Sequence, residues 1–359
     1  MRILLLTCLA ASLTFGASAV STLKPGKVQM LSAGPLAFGP DGVLLAADPL
    51  GAAVFALDTN DHKAAPGAAI DLKGANEKIA ALLGSTPDQI LVRDVAVNPI
   101  SHNVYFSVSR GKGPDAVPVL LKLDGTGKFS ELALDNIKHA RVELPNAPSA
   151  EKKDRGGNSQ RLEAITDLAF VDGRVFVAGL SNEEFASTLR SIPYPFAAVD
   201  KGTAVEIFHG AHGRFETNAP VRTFVAYQID AKPYLLAAYT CTPLVKVPVS
   251  DLKAGQKVMG TTIAELGNRN RPLDMIVYQK GGHDFILMNN SSRGVMKLAT
   301  AKLGDFPGIT KQTEGAGVPY ETLAEFKGVE QLDLYDAKNA LMLVRGEAGS
   351  LDLKTVALP

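Results

Sequence analysis

The chain has 359 residues and carries 37 Lys plus Arg against 37 Asp plus Glu, a formal charge of zero. A balanced chain has no electrostatic footprint for nucleic acid or an anionic membrane surface, so neither is expected as a partner. With 46% hydrophobic residues it can bury a sizeable core, in one large domain or two ordinary ones.

The first segment, "MRILLLTCLAASLTFGASAVS", sets Arg2 before an apolar run from Ile3 to about Phe15 and ends in Ala17-Ser18-Ala19. That is the layout of a secretory signal peptide cleaved after Ala19, which predicts a periplasmic or secreted protein. The run is shorter than the roughly 20 apolar residues of a membrane span, and no later segment supplies one. Cleavage removes Cys8 and leaves Cys241 as the single cysteine, so no disulfide can form within one chain. An odd thiol in an exported protein is either buried and inert, or reactive, metal-bound or paired between chains.

Beyond residue 34 the sequence repeats itself. "LAFGPDGVLLAAD", "VAVNPISHNVYFSV", "LAFVDGRVFVAG", "FVAYQIDAKPYLLAAY", "MIVYQKGGHDFILMN" and "LDLYDAKNALMLVR" each join two apolar stretches through a turn of Gly, Pro, Asp or Asn. Each reads as a β-hairpin. Aligned on the turns, the first strands begin at Pro35, Asp94, Asp167, Thr223, Asp274 and Gln331. A third strand follows every hairpin ("AVFALD", "VLLKLD", "STLRSI", "LVKVPV", "VMKLAT", "LDLKTV"), and a fourth follows most of them. Six such units predict an all-β, six-bladed β-propeller of four-stranded antiparallel blades, one domain over residues 20–359.

Two stretches depart from the pattern. "NEKIAALLG" (76–84) predicts a short helix, and "LPNAPSAEKKDRGGNSQ" (144–160) predicts a long polar loop. The last unit has three strands only. Its fourth is expected from "GKVQML" (26–31), paired with the strand near 351–356, so that N- and C-terminal strands close the ring in one blade and leave no open edge.

The stretch "GPLAFGPDGVLLAADPLGAAVFALD" (34–58) resembles a blade of the six-bladed propellers in the gluconolactonase-like, NHL-repeat and soluble sugar-dehydrogenase group. The likeness concerns the hairpin pattern and implies a fold, not an activity, and no catalytic set is carried over from it.

Loops entering a blade and turns after its second strand share one face, the usual ligand surface of such a ring. "IFHGAHGRFE" (207–216) leads into the fourth unit, and Cys241 lies in the turn after that unit's second strand. His209, His212 and Cys241 are therefore expected at one face near Asp274, able to ligate zinc or copper. Asn182, Glu183, Arg214, Arg222, Arg271, Asn289 and Asn290 are expected to join them as ligand-binding groups over units three to five. Asp94, Asp167 and Asp274 share one register and are expected to line the channel. Two readings of them stay open: a shared calcium ion, or acceptors of backbone N–H groups that tie neighbouring blades together. Glu183 or Glu184 could also serve as a general base. For the whole protein the first reading is a monomeric binding module for a small molecule, metal ion or exported partner. The alternative is a metal-dependent lactone or ester hydrolase. A quinone-dependent sugar dehydrogenase is a third, since the resembled group also uses His, Arg and calcium.

Overall fold

The computed structural model describes residues 18–241, 243–346 and 349–359; the expected signal peptide lies largely outside them, in residues 1–17. Six antiparallel sheets form the six blades of a propeller ring. Numbered by their innermost strands along the chain, these begin with Leu36–Phe38, Ile90–Val97, Asp167–Val171, Val221–Ile229, Pro272–Lys280 and Val329–Leu334. In a ring of blades both faces of each sheet are covered, so the second and third strands read as continuous apolar runs. Leu44–Asp48 and Ala53–Leu57 are buried at every position.

Six apolar clusters fill the spaces between blades, and each draws on two blades only. They fix the order around the ring. Blades three to six follow one another as in the sequence, but blade six packs on blade two through Leu341, Leu343, Val104 and Phe106. Blade two packs on blade one through Tyr105 and Phe55, and blade one packs on blade three through Leu45, Val54, Val175 and Val177. The first two units thus stand in reverse order in space.

The crossing segments explain how. After Leu57 the chain leaves blade one incomplete and adds Asp71–Leu72 to the edge of blade six, against Leu353 and Lys354. Helix Ala75–Leu82 then carries it to the inner strand of blade two. From the edge of blade two, Phe129–Glu131, it returns to blade one as Ile137–Glu143, which pairs with Ala53–Leu57. The ring is therefore closed twice by early segments, once at blade six and once at blade one.

This corrects the expected closure in one respect. The C-terminal strand Leu351–Ala357 does share a blade with a segment from the N-terminal part of the chain, but that segment is 71–72 and not 26–31. Lys24–Gly26 forms instead the outer edge of blade one, against Ile137–His139, and Val28 N–H donates to Leu134 O at 2.8 Å. Asp48 then anchors the return toward the channel by accepting from the Leu31 and Ser32 N–H groups at 2.8 and 2.9 Å. Residues 26–31 are held there, and cannot reach blade six, because blade two stands between.

Candidate functional site

The channel is a cavity of about 420 Å³ bounded by all six innermost strands. Asp94, Asp167 and Asp274 line it as expected, with Phe38, Phe170 and Met275 among the apolar walls beyond them. Each aspartate reaches across to the next blade. Asp94 Oδ2 accepts from Leu36 N–H at 2.6 Å, Asp167 Oδ2 from Phe224 at 2.8 Å, and Asp274 Oδ2 from Leu332 at 2.8 Å. A fourth member, Asp333, accepts from Val97 at 2.7 Å. It lies two residues past the aligned Gln331, hence on the same strand face one step deeper. The geometry is that of the inter-blade tie.

These carboxylates touch channel solvent but are enclosed by the ring. Burial raises Asp94 and Asp274 well above the ordinary range, with added repulsion from their neighbours. Burial likewise lifts Asp167 to about 7 and Asp333 to about 6, against the pull of their hydrogen bonds.

The histidine stretch lies elsewhere. Thr203–His209 is the fourth strand of blade three, so His209 ends a strand three places out from the channel, about 14 Å at ordinary strand spacing. It is not near Asp274, as the register argument expected, because the loop turns back on its own blade before entering the next. Gly213, at φ 63°, closes a 3-10 turn over Gly210–His212, and Arg214–Glu216 folds back along the strand. Ile207 then faces Glu216 and His209 faces Arg214, which makes His209 and Glu216 diagonal neighbours on one side of the hairpin.

The result is a compact cluster. His209 Nδ1 lies 2.9 Å and His212 Nδ1 2.7 Å from the two oxygens of Glu216, and the imidazole ring centroids are 3.9 Å apart. The His209 hydrogen bond leads in holding Glu216 down to about 2, helped by His212 and Arg214 and opposed by partial burial. Among the described residues, His209, His212 and Glu216 are the group whose ligand atoms come within 4.8 Å of one another; neither Cys241 nor the channel aspartates form such a group. His209 is only 2% exposed, and its Nε2 is buried without a hydrogen-bond partner. His209 is therefore an enclosed strand-end residue, whereas His212 is exposed on the turn.

A residue missed from the sequence completes the surroundings. Glu265 ends the fourth strand of blade four, Thr261–Glu265, and its Oε1 accepts from Gly210 N–H at 2.6 Å. Glu265 is 2% exposed, and its Oε2 also has no partner. Burial raises its pKa, against the Gly210 hydrogen bond and the nearby histidines. The signal was available: His209 and Glu265 are 56 residues apart, the same offset as Asp167 and Thr223, so both end the outer strand of their unit. Glu265 also lines a pocket of about 480 Å³, together with Asn268, Arg293 and Tyr320.

The remaining expected ligands disperse. Arg214 is exposed and pairs with Glu216 at 3.2 Å. Arg222 stays at the channel mouth, paired with Glu163 and donating to Thr240 Oγ1 at 2.9 Å. Arg271 is exposed nearby. Glu183 pairs with Lys201 at 3.2 Å over blade three, beside Asn182, and Glu184 lines a pocket there. Asn289 and Asn290 are buried: Asn289 Oδ1 accepts from Asp274 N–H at 2.7 Å and Asn290 Oδ1 from Asn270 at 2.7 Å. Their amides are spent on the fold, and the ligand role expected of them is corrected accordingly. Cys241 is half-buried at a turn with φ 65°, its N–H bonded to Asn270 O at 2.8 Å. The expected polar sector is thus split among the histidine hairpin, the channel mouth, the outer turn of blade three and the buried strand end of blade five.

No protein-family model matches the sequence, and no curated protein is similar to it. Solved structures do resemble the fold. One is the PQQ-bound aldose sugar dehydrogenase of Streptomyces coelicolor, 10% identical, with 93% of this chain and 98% of that one covered at a TM-score of 0.36. Others are virginiamycin B lyase of Staphylococcus aureus (9% identity, 94% and 99% covered, TM-score 0.31) and the arabinanase Arb43A of Bacillus subtilis (13%, 72% and 90%, 0.36). Likenesses this distant carry no activity across. The chain is a six-bladed β-propeller by its own six sheets.

Proposed function

We propose that this protein is an exported binding propeller that holds a divalent transition metal of the zinc class at His209, His212 and Glu216. The carrying observation is that ligand atoms of two imidazoles and one carboxylate lie within 4.8 Å of one another. Two nitrogens and a carboxylate oxygen suit zinc or copper better than calcium, which takes all-oxygen sets. Zinc added to metal-free, untagged protein should bind with 1:1 stoichiometry in a calorimetric titration, and His212→Ala should weaken it at least tenfold. Absence of heat and of any melting shift at millimolar zinc would sink the reading.

Export rests on the sequence layout of residues 1–19. N-terminal sequencing of protein recovered from outside the cytoplasm of an expressing bacterium should begin at Val20; an intact Met1 would count against export.

One observation favours the hydrolase as a second reading: Glu265, which lines the 480 Å³ pocket, also accepts from Gly210 N–H beside the metal cluster. A substrate there would approach the ion, and zinc-dependent release of acid from a simple lactone or ester would support it.

A further inference from the structure

We propose that the mouth of the central channel binds a small organic acid, its carboxylate held by Arg93, Arg222 and Arg271 and its apolar body in the channel. The site is separate from the metal cluster and does not depend on it. The ladder between first and second strands slips at one equivalent place in blades two, four and six: between Val92 and Asp94, Val221 and Thr223, and Val329 and Gln331. The extra residues are Arg93, Arg222 and Glu330. A bulge of this kind re-aims its side chain and is common beside binding sites. In each blade the bulged residue is tied to the same position opposite, one step beyond Val108, Tyr239 or Val344. Arg93 Nε donates to Ser109 Oγ and Arg222 Nε to Thr240 Oγ1, both at 2.9 Å. In blade six the roles are exchanged, and Arg345 Nε donates to Glu330 Oε1 at 2.6 Å.

Arg93 precedes Asp94 and Arg222 precedes Thr223, and both of those line the cavity, so the two guanidiniums stand at its rim. In the ring order one, three, four, five, six, two, blades two and four are opposite each other. Arg271 joins Arg222 from blade five: burial lowers the Arg222 pKa, Glu163 opposes that, and Arg271 adds repulsion. Among the described residues Arg93 and Arg271 pair with no carboxylate, while Arg222 has Glu163 and Glu330 is taken by two nitrogens of Arg345. The rim is thus short of negative charge, and a guanidinium fork fits a carboxylate through two parallel hydrogen bonds. Below the rim the walls include Phe38, Phe170, Met275 and Leu334, and about 420 Å³ is the size of a small-ligand pocket. An inorganic anion would leave that space unused. The channel aspartates spend oxygens on backbone N–H groups of the next blade. Burial holds Asp94 and Asp274 well above the ordinary range, which blunts their repulsion of an anion.

The test uses the full chain with a chelator present, and sodium octanoate, octanol and inorganic phosphate as probes. Octanoate should bind with 1:1 stoichiometry in a calorimetric titration, at least tenfold tighter than octanol or phosphate. Its affinity should fall as salt is raised, because the rim charges are screened. Arg93→Gln and Arg271→Gln, both at exposed positions, should each weaken octanoate at least tenfold and leave the melting temperature and zinc uptake unchanged. No saturable octanoate binding at millimolar concentration, or an affinity unchanged in both variants, would overturn the proposal. Octanol binding as tightly as octanoate would take the arginines out of it, and phosphate binding as tightly would take out the channel; either result overturns it.

Discussion

Lowering the pH from 7.5 to 5 should raise the melting temperature of the metal-free protein by roughly 5 °C. The reason is the channel. Burial lifts Asp167 to about 7 and Asp333 to about 6, above the ordinary 3.8. A carboxyl whose folded pKa is raised binds more protons in the folded state between the two values, so its contribution to stability is complete below 3.8 and is lost as the pH rises through the folded value. Together the two groups account for on the order of 4 kcal/mol between pH 5 and 7.5, which at this chain length shifts melting by a few degrees. Glu216 runs the other way, since its depressed pKa makes it stabilising above 4.5 and removes that contribution only toward pH 2, outside the interval. Asp167→Asn should flatten the profile. A melting temperature that falls or stays level from pH 7.5 to 5 would mean the channel carboxylates are ionised at neutral pH, and would return the shared calcium ion to consideration.

The blades were legible because their chemistry is periodic. A turn of Gly, Pro, Asp or Asn between two apolar runs recurs six times, and in a sequence with so little helical pattern a ring of mutually covering sheets buries such runs on both faces. The order of blades was not legible, because hairpin patterns carry no information about which neighbour covers them. The one hint was length: Asp94 and Asp167 lie 73 residues apart, longer than the other unit spacings, and that excess holds Ile137–Glu143, the strand returned to blade one. The short strand Asp71–Leu72 has no apolar alternation at all, so the closure of blade six could not be assigned to it.

The site divides in the same way. His209 and His212 were expected as ligands, but the third was expected from Cys241 and not from Glu216, which lies within eight residues of His209 and is brought to it by a single glycine turn. Asn289 and Asn290 looked equally polar, yet they fall on the end of a buried strand, His283–Asn290, where an amide serves the backbone. Burial does not separate the two uses, since His209 is as enclosed as either asparagine; what differs is that His209 Nε2 keeps no hydrogen-bond partner while both amides are bonded, and neither spacing nor residue type reports that. Glu265 depended on the tertiary step from one outer strand to the next, which only the repeat offset could have suggested.

Burial separates the two histidines in a measurable way. His209→Ala should destabilise the metal-free protein by about 3 kcal/mol, whereas His212→Ala should cost less than about 1 kcal/mol. His209 is enclosed at the junction of blades three and four, so its removal opens a cavity there and takes from Glu216 one of its two imidazole partners. His212 has a side chain 42% exposed, and water can replace its contact with the other Glu216 oxygen. Zinc uptake should fall in both variants. Denaturant unfolding in the presence of a chelator isolates the stability term, and calorimetric zinc titration isolates the binding term. Equal and small stability losses with full zinc uptake would reduce the stretch to a polar hairpin. A large loss for His209 alone, with uptake retained in His212→Ala, would make His209 a core residue and end the case for metal.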